Sequence, residues 1–525
     1  MNTLDFSAPL SRYLPPLPGE ATLAWASRIA PPAAWVLDPA AASPRLPVQL
    51  AASGMRVLVT AGNPIIRFLL DLAAHPPAEA DLRAALSDLA IARKDDERLE
   101  IHLQSLYETH CTACNHPLPA EFFTWDSKSG HLLSKTYTCA SCGDMGERPV
   151  SEADIYNATQ WVNTEGLHRA RALERIAARD DPDRIHAEEA LRLYLPRPVY
   201  ALGTVINRLD GISTSDERRR CVVALILYAL DQCNSLWPHT TERPRPRQLS
   251  LPATFREHNV WHALEKAVSF WNNFSPANLS GVAHTLWPEE PPKNGGLSIY
   301  EGPLREAAGQ LGEIPFTAVA TIIPRPNQAF WTLSALWAGW LWGREAVAPF
   351  KSVLRRRRYD WQWHAEALRA LFGNLRQVAG GQIPFHALIP ELEPDFLGAV
   401  ILAASASGWR VESFESEKNS GLASLVLQPG KPRRARPLKP DVNLVRKLLR
   451  QALESRAEPA DYPNLYAEVV LALAAKNRLV FDEDCVGTIR KLIHTSLESD
   501  EFTDLEGRAH PETGRWALSR WQKMF

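Results

Sequence analysis

Two Cys-x-x-Cys pairs, Cys111-Thr-Ala-Cys114 and Cys139-Ala-Ser-Cys142, restrict this chain more than any other feature. They stand 24 residues apart, counted between the pairs, and enclose two strand-like segments, Ala120 to Trp125 and Leu132 to Tyr137. That spacing predicts two knuckles on a small β-ribbon whose four thiolates converge tetrahedrally on one ion. So small a ribbon has too little apolar area to fold unaided, which makes the metal part of its stability. The chain has 7 cysteines in all, and the other three are scattered, a pattern that fits a metal site in a reducing compartment better than a disulfide framework. Four thiolates leave no open coordination position. Structural zinc is therefore expected at Cys111, Cys114, Cys139 and Cys142, with His110 and His116 flanking it.

The stretch from Ala318 to Trp342 sets the architecture around that ribbon. Its β-branched beginning stops at Pro324 and Pro326, and its continuation is apolar at helical spacing, so it reads as buried strand, rigid turn and buried helix. Near the amino terminus Ala34 to Asp38 reads as a strand, followed by a small-residue turn and a helix through Ala52. Arg56 to Thr60 reads as a second strand, and Gly62-Asn-Pro64 opens a second helix. This is a βαβ unit. In an open α/β sheet ligands gather at the carboxyl ends of such strands. At 525 residues, 45% of them hydrophobic, the chain holds more than one domain and can bury large cores. A formal charge of −2 excludes a global basic field, so contacts with nucleic acid need local patches. Four arginines, Arg355, Arg356, Arg357 and Arg358, lie beside Tyr359, Trp361 and Trp363 and form such a patch. A second basic segment carries Arg243, Arg245 and Arg247. The longest mostly apolar stretch, Ala329 to Gly343, covers 15 residues. That is short of the roughly 18 to 20 needed to span a bilayer, so no membrane partner and a cytoplasmic location are expected.

Three segments resemble the amino-directed DNA methyltransferases, of the adenine or cytosine-N4 type. Val36-Leu-Asp-Pro-Ala-Ala-Ala-Ser43 is similar to that family's first motif, Asp-Pro-Phe-x-Gly-Ser-Gly, whose turn approaches S-adenosylmethionine. Gly62-Asn-Pro64 is similar to the end of its Asp-x-Asn-Pro motif, where an acid holds the cofactor ribose. Ile322-Ile-Pro-Arg-Pro-Asn327 falls where the family keeps Asp-Pro-Pro-Tyr, the catalytic loop that clamps a flipped base. The resemblance implies an α/β fold, a Rossmann-like class I methyltransferase sheet with a helical and zinc-ribbon insertion and a small helical carboxyl-terminal module. It places the sheet in residues 1–78 and 271–428, a helical connection in 79–108, the ribbon in 109–146 and a helical insertion in 147–270. A linker follows at 429–440, and residues 441–525 form a module that resembles a winged helix. By the same resemblance Asp38, Ala40, Ser43 and Asn63 line the cofactor, and Pro324, Arg325 and Asn327 surround the base.

The departures from the family pattern bear on chemistry. Ala42 and Pro44 replace the two glycines that let the backbone approach a cofactor, and Ala61 replaces the ribose-binding acid. Ile322 and Ile323 replace the catalytic Asp-Pro, and Arg325 replaces the stacking aromatic. Two functions follow. One is a methyltransferase-like protein without turnover that binds nucleic acid, DNA in the first instance, or supports an active methyltransferase or other protein partner. The alternative is an active S-adenosylmethionine-dependent DNA amino-methyltransferase.

Overall fold

A computed structural model of the chain describes residues 10, 12–15, 19–161, 165–211, 214–239, 247–272, 281–355, 360–378, 383–417, 421–430, 438–507 and 510–521. Among them an eight-stranded mixed sheet organises the α/β fold. Its strands in chain order are β1 (Trp35–Asp38), β2 (Arg56–Thr60), β3 (His284–Leu286), β4 (Gly296–Tyr300), β5 (Phe316–Ile322), β6 (Phe385–Ile389), β7 (Trp409–Ser416) and β8 (Ala423–Pro429). Across the sheet they run β3-β4-β2-β1-β5-β6-β8-β7. All neighbours from β3 to β6 are parallel, and β8 is antiparallel to both β6 and β7. The chain leaves β1 in one direction through β2 and returns on the other side through β5, so the strand order reverses between β1 and β5. A reversal of this kind opens a crevice at the carboxyl ends of the central strands.

The central strands are apolar on both faces because both faces are covered. Val36, Val57, Val59, Ala318, Ala320 and Ile322 belong to one core, and the alternating residues Trp35, Leu37, Leu58 and Val319 belong to the other. The first core contains the helix Gln328–Trp342 and the insertion helices Pro196–Gly211, Asp216–Gln232 and Val260–Asn272. The tryptophan-rich helix is apolar all round because it has neighbours all round. Trp337 donates to the Tyr194 hydroxyl at 2.7 Å, Trp340 donates to the Ala172 carbonyl at 3.2 Å, and Gly339 has no room for a β-carbon beside Ile176. The insertion is thus part of the core. The second core contains the helices Leu304–Leu311, Trp361–Val378 and Pro394–Ala406, and it continues into the carboxyl-terminal helices Val442–Arg456, Tyr462–Ala475 and Cys485–Leu497.

Several local expectations are revised. The insertion expected to be helical over 147–270 also contains a strand, Thr254–His258, directly before the helix that begins at Val260. That strand pairs with Phe122–Asp126, so a four-stranded sheet, Thr254–His258, Phe122–Asp126, Leu132–Thr138 and Met145–Pro149, replaces a ribbon closed within 109–146. The strand β8 runs over Ala423–Pro429, so its last residue falls within the stretch 429–440 expected to be a linker. Residues 441–525 also carry three short strands, Ala460–Asp461, Phe502–Asp504 and Arg515–Leu518. No helix is long and apolar enough to cross a membrane among the described residues.

Candidate metal centre and sheet-edge site

The four ribbon cysteines meet, with their sulfur atoms all within 4.8 Å of one another. Cys111 and Cys142 lie 3.6 Å apart and Cys114 and Cys139 3.7 Å apart. For a tetrahedral ion with Zn–S of about 2.3 Å the edge is about 3.7–3.8 Å, which these two separations match. The two knuckles are near copies. Asn115 donates its N–H to the Cys111 carbonyl at 3.0 Å, and Gly143 donates to Cys139 at 2.9 Å. Both turn residues have positive φ, +57° and +78°, a conformation that asparagine and glycine tolerate. Burial opposes ionisation of Cys111, but the N–H groups of Cys114 and Ala113 and the Tyr137 hydroxyl hold its thiol down to about 6. Cys142 receives the Asp144 N–H, which favours the thiolate, yet Cys114, burial and Cys111 push it up to about 12. Four thiolates coexist here only around a cation. His110 and His116 are exposed and outside the cluster.

An outer shell supports the knuckles. Tyr137 donates to Asp144 Oδ2 at 2.8 Å and receives the Thr112 N–H at 2.8 Å, and Arg148 pairs with Asp144. Behind the ribbon, Arg197 makes a bidentate ion pair with Glu257 at 2.8 Å on each arm, with both side chains 1% exposed. Glu257 also accepts from the Trp125 indole at 2.8 Å, and the Arg197 guanidinium lies over the rings of Tyr107 and Phe123. This buried charge pair joins the strand Thr254–His258 to the helix Pro196–Gly211.

At the carboxyl edge of the large sheet the side chains expected to hold ligands serve the chain itself. Asp38, 1% exposed, turns Oδ1 back onto its own loop, where it accepts the N–H groups of Ala40 at 3.2 Å and Ala41 at 3.1 Å and the Thr321 hydroxyl at 2.5 Å. Ala41 stands at φ +47°, in the left-handed region that a residue with a β-carbon adopts only under strain. Thr60 donates to the Pro39 carbonyl at 2.8 Å, so the turn is tied on both sides. Ser43 is buried, and Pro44 begins the helix Arg45–Ala52 without a side-chain cap. Asn63 accepts the Ile65 N–H at 2.9 Å as the cap of the helix Pro64–Ala74. Asn327 likewise accepts the Phe330 N–H at 2.9 Å and caps Gln328–Trp342.

The loop after β5 is held by Glu391, Glu393 and His364, none of which the sequence motifs include. Arg325 pairs with Glu391 and Glu393, and Arg247 reaches the same two carboxylates at 3.3 Å each. The Arg325 guanidinium lies 5.5 Å from the Trp361 ring centre and 5.9 Å from that of Phe396. His364 bonds the Pro324 backbone, and burial pushes its imidazole down to about 3, which keeps it neutral. The signal for the clamp was available as Glu391-x-Glu393 at the carboxyl end of β6. One oxygen stands apart: Asp38 Oδ2 is buried and has no hydrogen-bond partner among the described residues. Burial, opposed by Thr321, Ala40 and Ala41, raises the Asp38 carboxyl to about 6.

Of the arginine run, Arg355 pairs with Asp183 at 2.5 Å and 3.1 Å, while Arg356, Arg357 and Arg358 lie outside the described residues, as do Arg243 and Arg245.

Comparison of the chain with protein-family models, with curated proteins and with solved structures finds no match.

Proposed function

We propose that this is a methyltransferase-like protein that binds nucleic acid, DNA in the first instance, and that transfers no methyl group by itself. The strand reversal between β1 and β5, with Asp38, Asn63 and the Pro324–Asn327 loop at its carboxyl edge, supports the methyltransferase-like part. The observation that carries the lack of turnover is the commitment of the expected ligand groups to the chain itself. Asp38 Oδ1, Asn63 Oδ1 and Asn327 Oδ1 each accept a backbone N–H of their own loop or helix, and Arg325 is held by two carboxylates. Ala61 offers no carboxylate where the cofactor ribose would bind. Hydrogen bonds to a charged acceptor contribute on the order of 1.5 to 3 kcal/mol. Their absence weakens S-adenosylmethionine by about one to two orders of magnitude.

The four cysteines are proposed to hold structural zinc. The nucleic-acid path is proposed along Arg355–Arg358, and the three α-helices and three short strands among the described residues of 441–525 fit a winged-helix-like module that docks nucleic acid or a protein partner. The setting proposed for all of this is cytoplasmic.

The test is calorimetry with S-adenosylmethionine followed by tritiated-methyl transfer to duplex DNA, for which weak or no cofactor binding and no label are expected. One observation favours the alternative, an active DNA amino-methyltransferase: the unpartnered Asp38 Oδ2 is a buried acceptor at the place where a cofactor would lie. Micromolar binding, with label incorporation that Asp38→Ala and Asn327→Ala abolish, would establish that alternative. For nucleic acid, alanine at Arg355–Arg358 should weaken binding to all sequences alike and flatten the salt dependence by about one unit of slope per lost phosphate contact. Unchanged affinity and slope would remove the path.

A further inference from the structure

A second pair of metal-ligating side chains lies where the chain returns to the large sheet after the insertion. His75 follows the last turn of the helix Pro64–Ala74, and His284 opens the edge strand β3. The Val282 N–H donates to the Ala74 carbonyl at 2.8 Å and brings the two segments together. The imidazoles approach with Nδ1 of His75 3.2 Å from Nδ1 of His284, and the ring planes are inclined at 59°. On the far side of the His284 ring, Nε2 lies 3.0 Å from Asp71 Oδ1. The other Asp71 oxygen is held by Arg220 Nε at 2.5 Å, and Arg220 also donates to the carbonyls of Asp71 and His75.

The carboxylate decides which nitrogen of His284 carries hydrogen. A neutral imidazole places its single N–H on Nε2, toward Asp71, and leaves Nδ1 with a free lone pair facing His75. Carboxylate, imidazole and metal in that order is how proteins orient a histidine ligand and raise its basicity. The spacing fits the same chemistry. Two nitrogens on one tetrahedral ion at about 2.0–2.1 Å lie about 3.3–3.4 Å apart, close to the separation found here. Asp71 and the nearby Glu217, which pairs with Arg220, supply two negative charges against one guanidinium, so the surroundings do not repel a cation.

We infer that His75 and His284 form a metal site separate from the cysteine cluster, for a divalent ion that imidazole favours, such as Zn2+ or Ni2+, with water completing its coordination. Asp71 is the positioning residue, acting through His284. The ion would clamp β3 to the end of the Pro64–Ala74 helix. This inference does not rest on the methyltransferase-like reading.

The experiment uses the full chain carrying one zinc equivalent on its cysteines. Calorimetric titration with Ni2+, and separately with Zn2+, should show one further equivalent. His75→Gln, at an exposed ring, and His284→Gln should each remove it while the first equivalent and the circular dichroism spectrum are retained. Asp71→Asn should leave the stoichiometry but weaken binding by about tenfold or more. Co2+ added to the zinc-loaded protein should give d–d absorption without a thiolate charge-transfer band. No further equivalent, or one that survives in the His75→Gln/His284→Gln double variant, would overturn the site and leave the pair as a hydrogen bond between imidazoles.

Discussion

The cysteine ribbon and the carboxyl edge of the large sheet treat their polar atoms in opposite ways. In the ribbon the two knuckles, braced by the Tyr137–Asp144 pair, bring four sulfurs within 4.8 Å of one another, a donor set that could hold a metal ion. At the sheet edge Asp38, Asn63 and Asn327 face their own backbone, and all but one of the expected acceptors are satisfied internally. A binding site is marked by groups that the fold leaves unpaired. Residue type at the right place in a motif is not sufficient.

The strongest way to break this contrast is Cys139→Ser. Structural zinc contributes about 10–16 kcal/mol in small peptides, so the ribbon should lose most of its local stability. Metal analysis should fall below about half an equivalent and proteolysis near Ala113 should accelerate. Retained metal and retained protection would show that the ribbon stands on its packing alone. Next in size is Glu257→Gln, which leaves the Arg197 guanidinium buried without its counter-charge and should cost about 3–5 kcal/mol in urea denaturation. Hydrogen exchange should report the loss first in Thr254–His258.

At the sheet edge, Asp38→Asn has the opposite expected sign. Because the folded-state carboxyl is raised to about 6 from 3.8, the native protein holds its proton longer than the unfolded chain. That stabilisation is complete below the unfolded value and is lost as pH rises through about 6. At pH 7 the buried carboxylate should cost about 3 kcal/mol. The asparagine variant keeps an acceptor for Thr321, so it should match the parent near pH 4 and exceed it in stability at pH 7. A parallel pH profile for both proteins would mean that Oδ2 already has a partner. The smallest expected effect is Asn63→Ala, which removes a helix cap for about 1 kcal/mol, with Asn63→Ser recovering most of it. No loss on Asn63→Ala would free that side chain for a ligand.

The ribbon was legible because its geometry is local: two short motifs with a fixed turn conformation determine where four sulfurs go. Strands β1, β2 and β5 were legible for a similar reason, since runs such as Val57-Leu-Val59 are apolar without interruption only when both faces are covered, whereas the parallel strands β3 and β4 were not read. Strand β8 escaped because its burial alternates, and its alternating residues pair with β6 and β7, strands whose proximity no local pattern announces. The strand Thr254–His258 escaped for the same reason, because its partner lies about 130 residues earlier in the chain. The clamp on Arg325 joins three separate segments, and a motif that spans six residues does not contain its counter-ions. Arg325 therefore read as a residue free to stack, while its charge is already shared with Glu391 and Glu393.

The position of β1 has a consequence for how the protein is made. Its neighbour on one side, β2, leaves the ribosome almost at once, but its other neighbour, β5, begins about 280 residues later, an interval of roughly 15 to 55 s at 5–20 residues per second. Throughout that interval the nascent chain carries Trp35, Val36 and Leu37 with one hydrogen-bonding edge open, while all four ribbon cysteines emerge well before β5. The first stable part of the molecule is then expected to be an insertion, and the sheet that surrounds it in sequence is completed later. The early strands stay paired on one edge only until β5 arrives, and slowing synthesis between β2 and β5 should lengthen that interval.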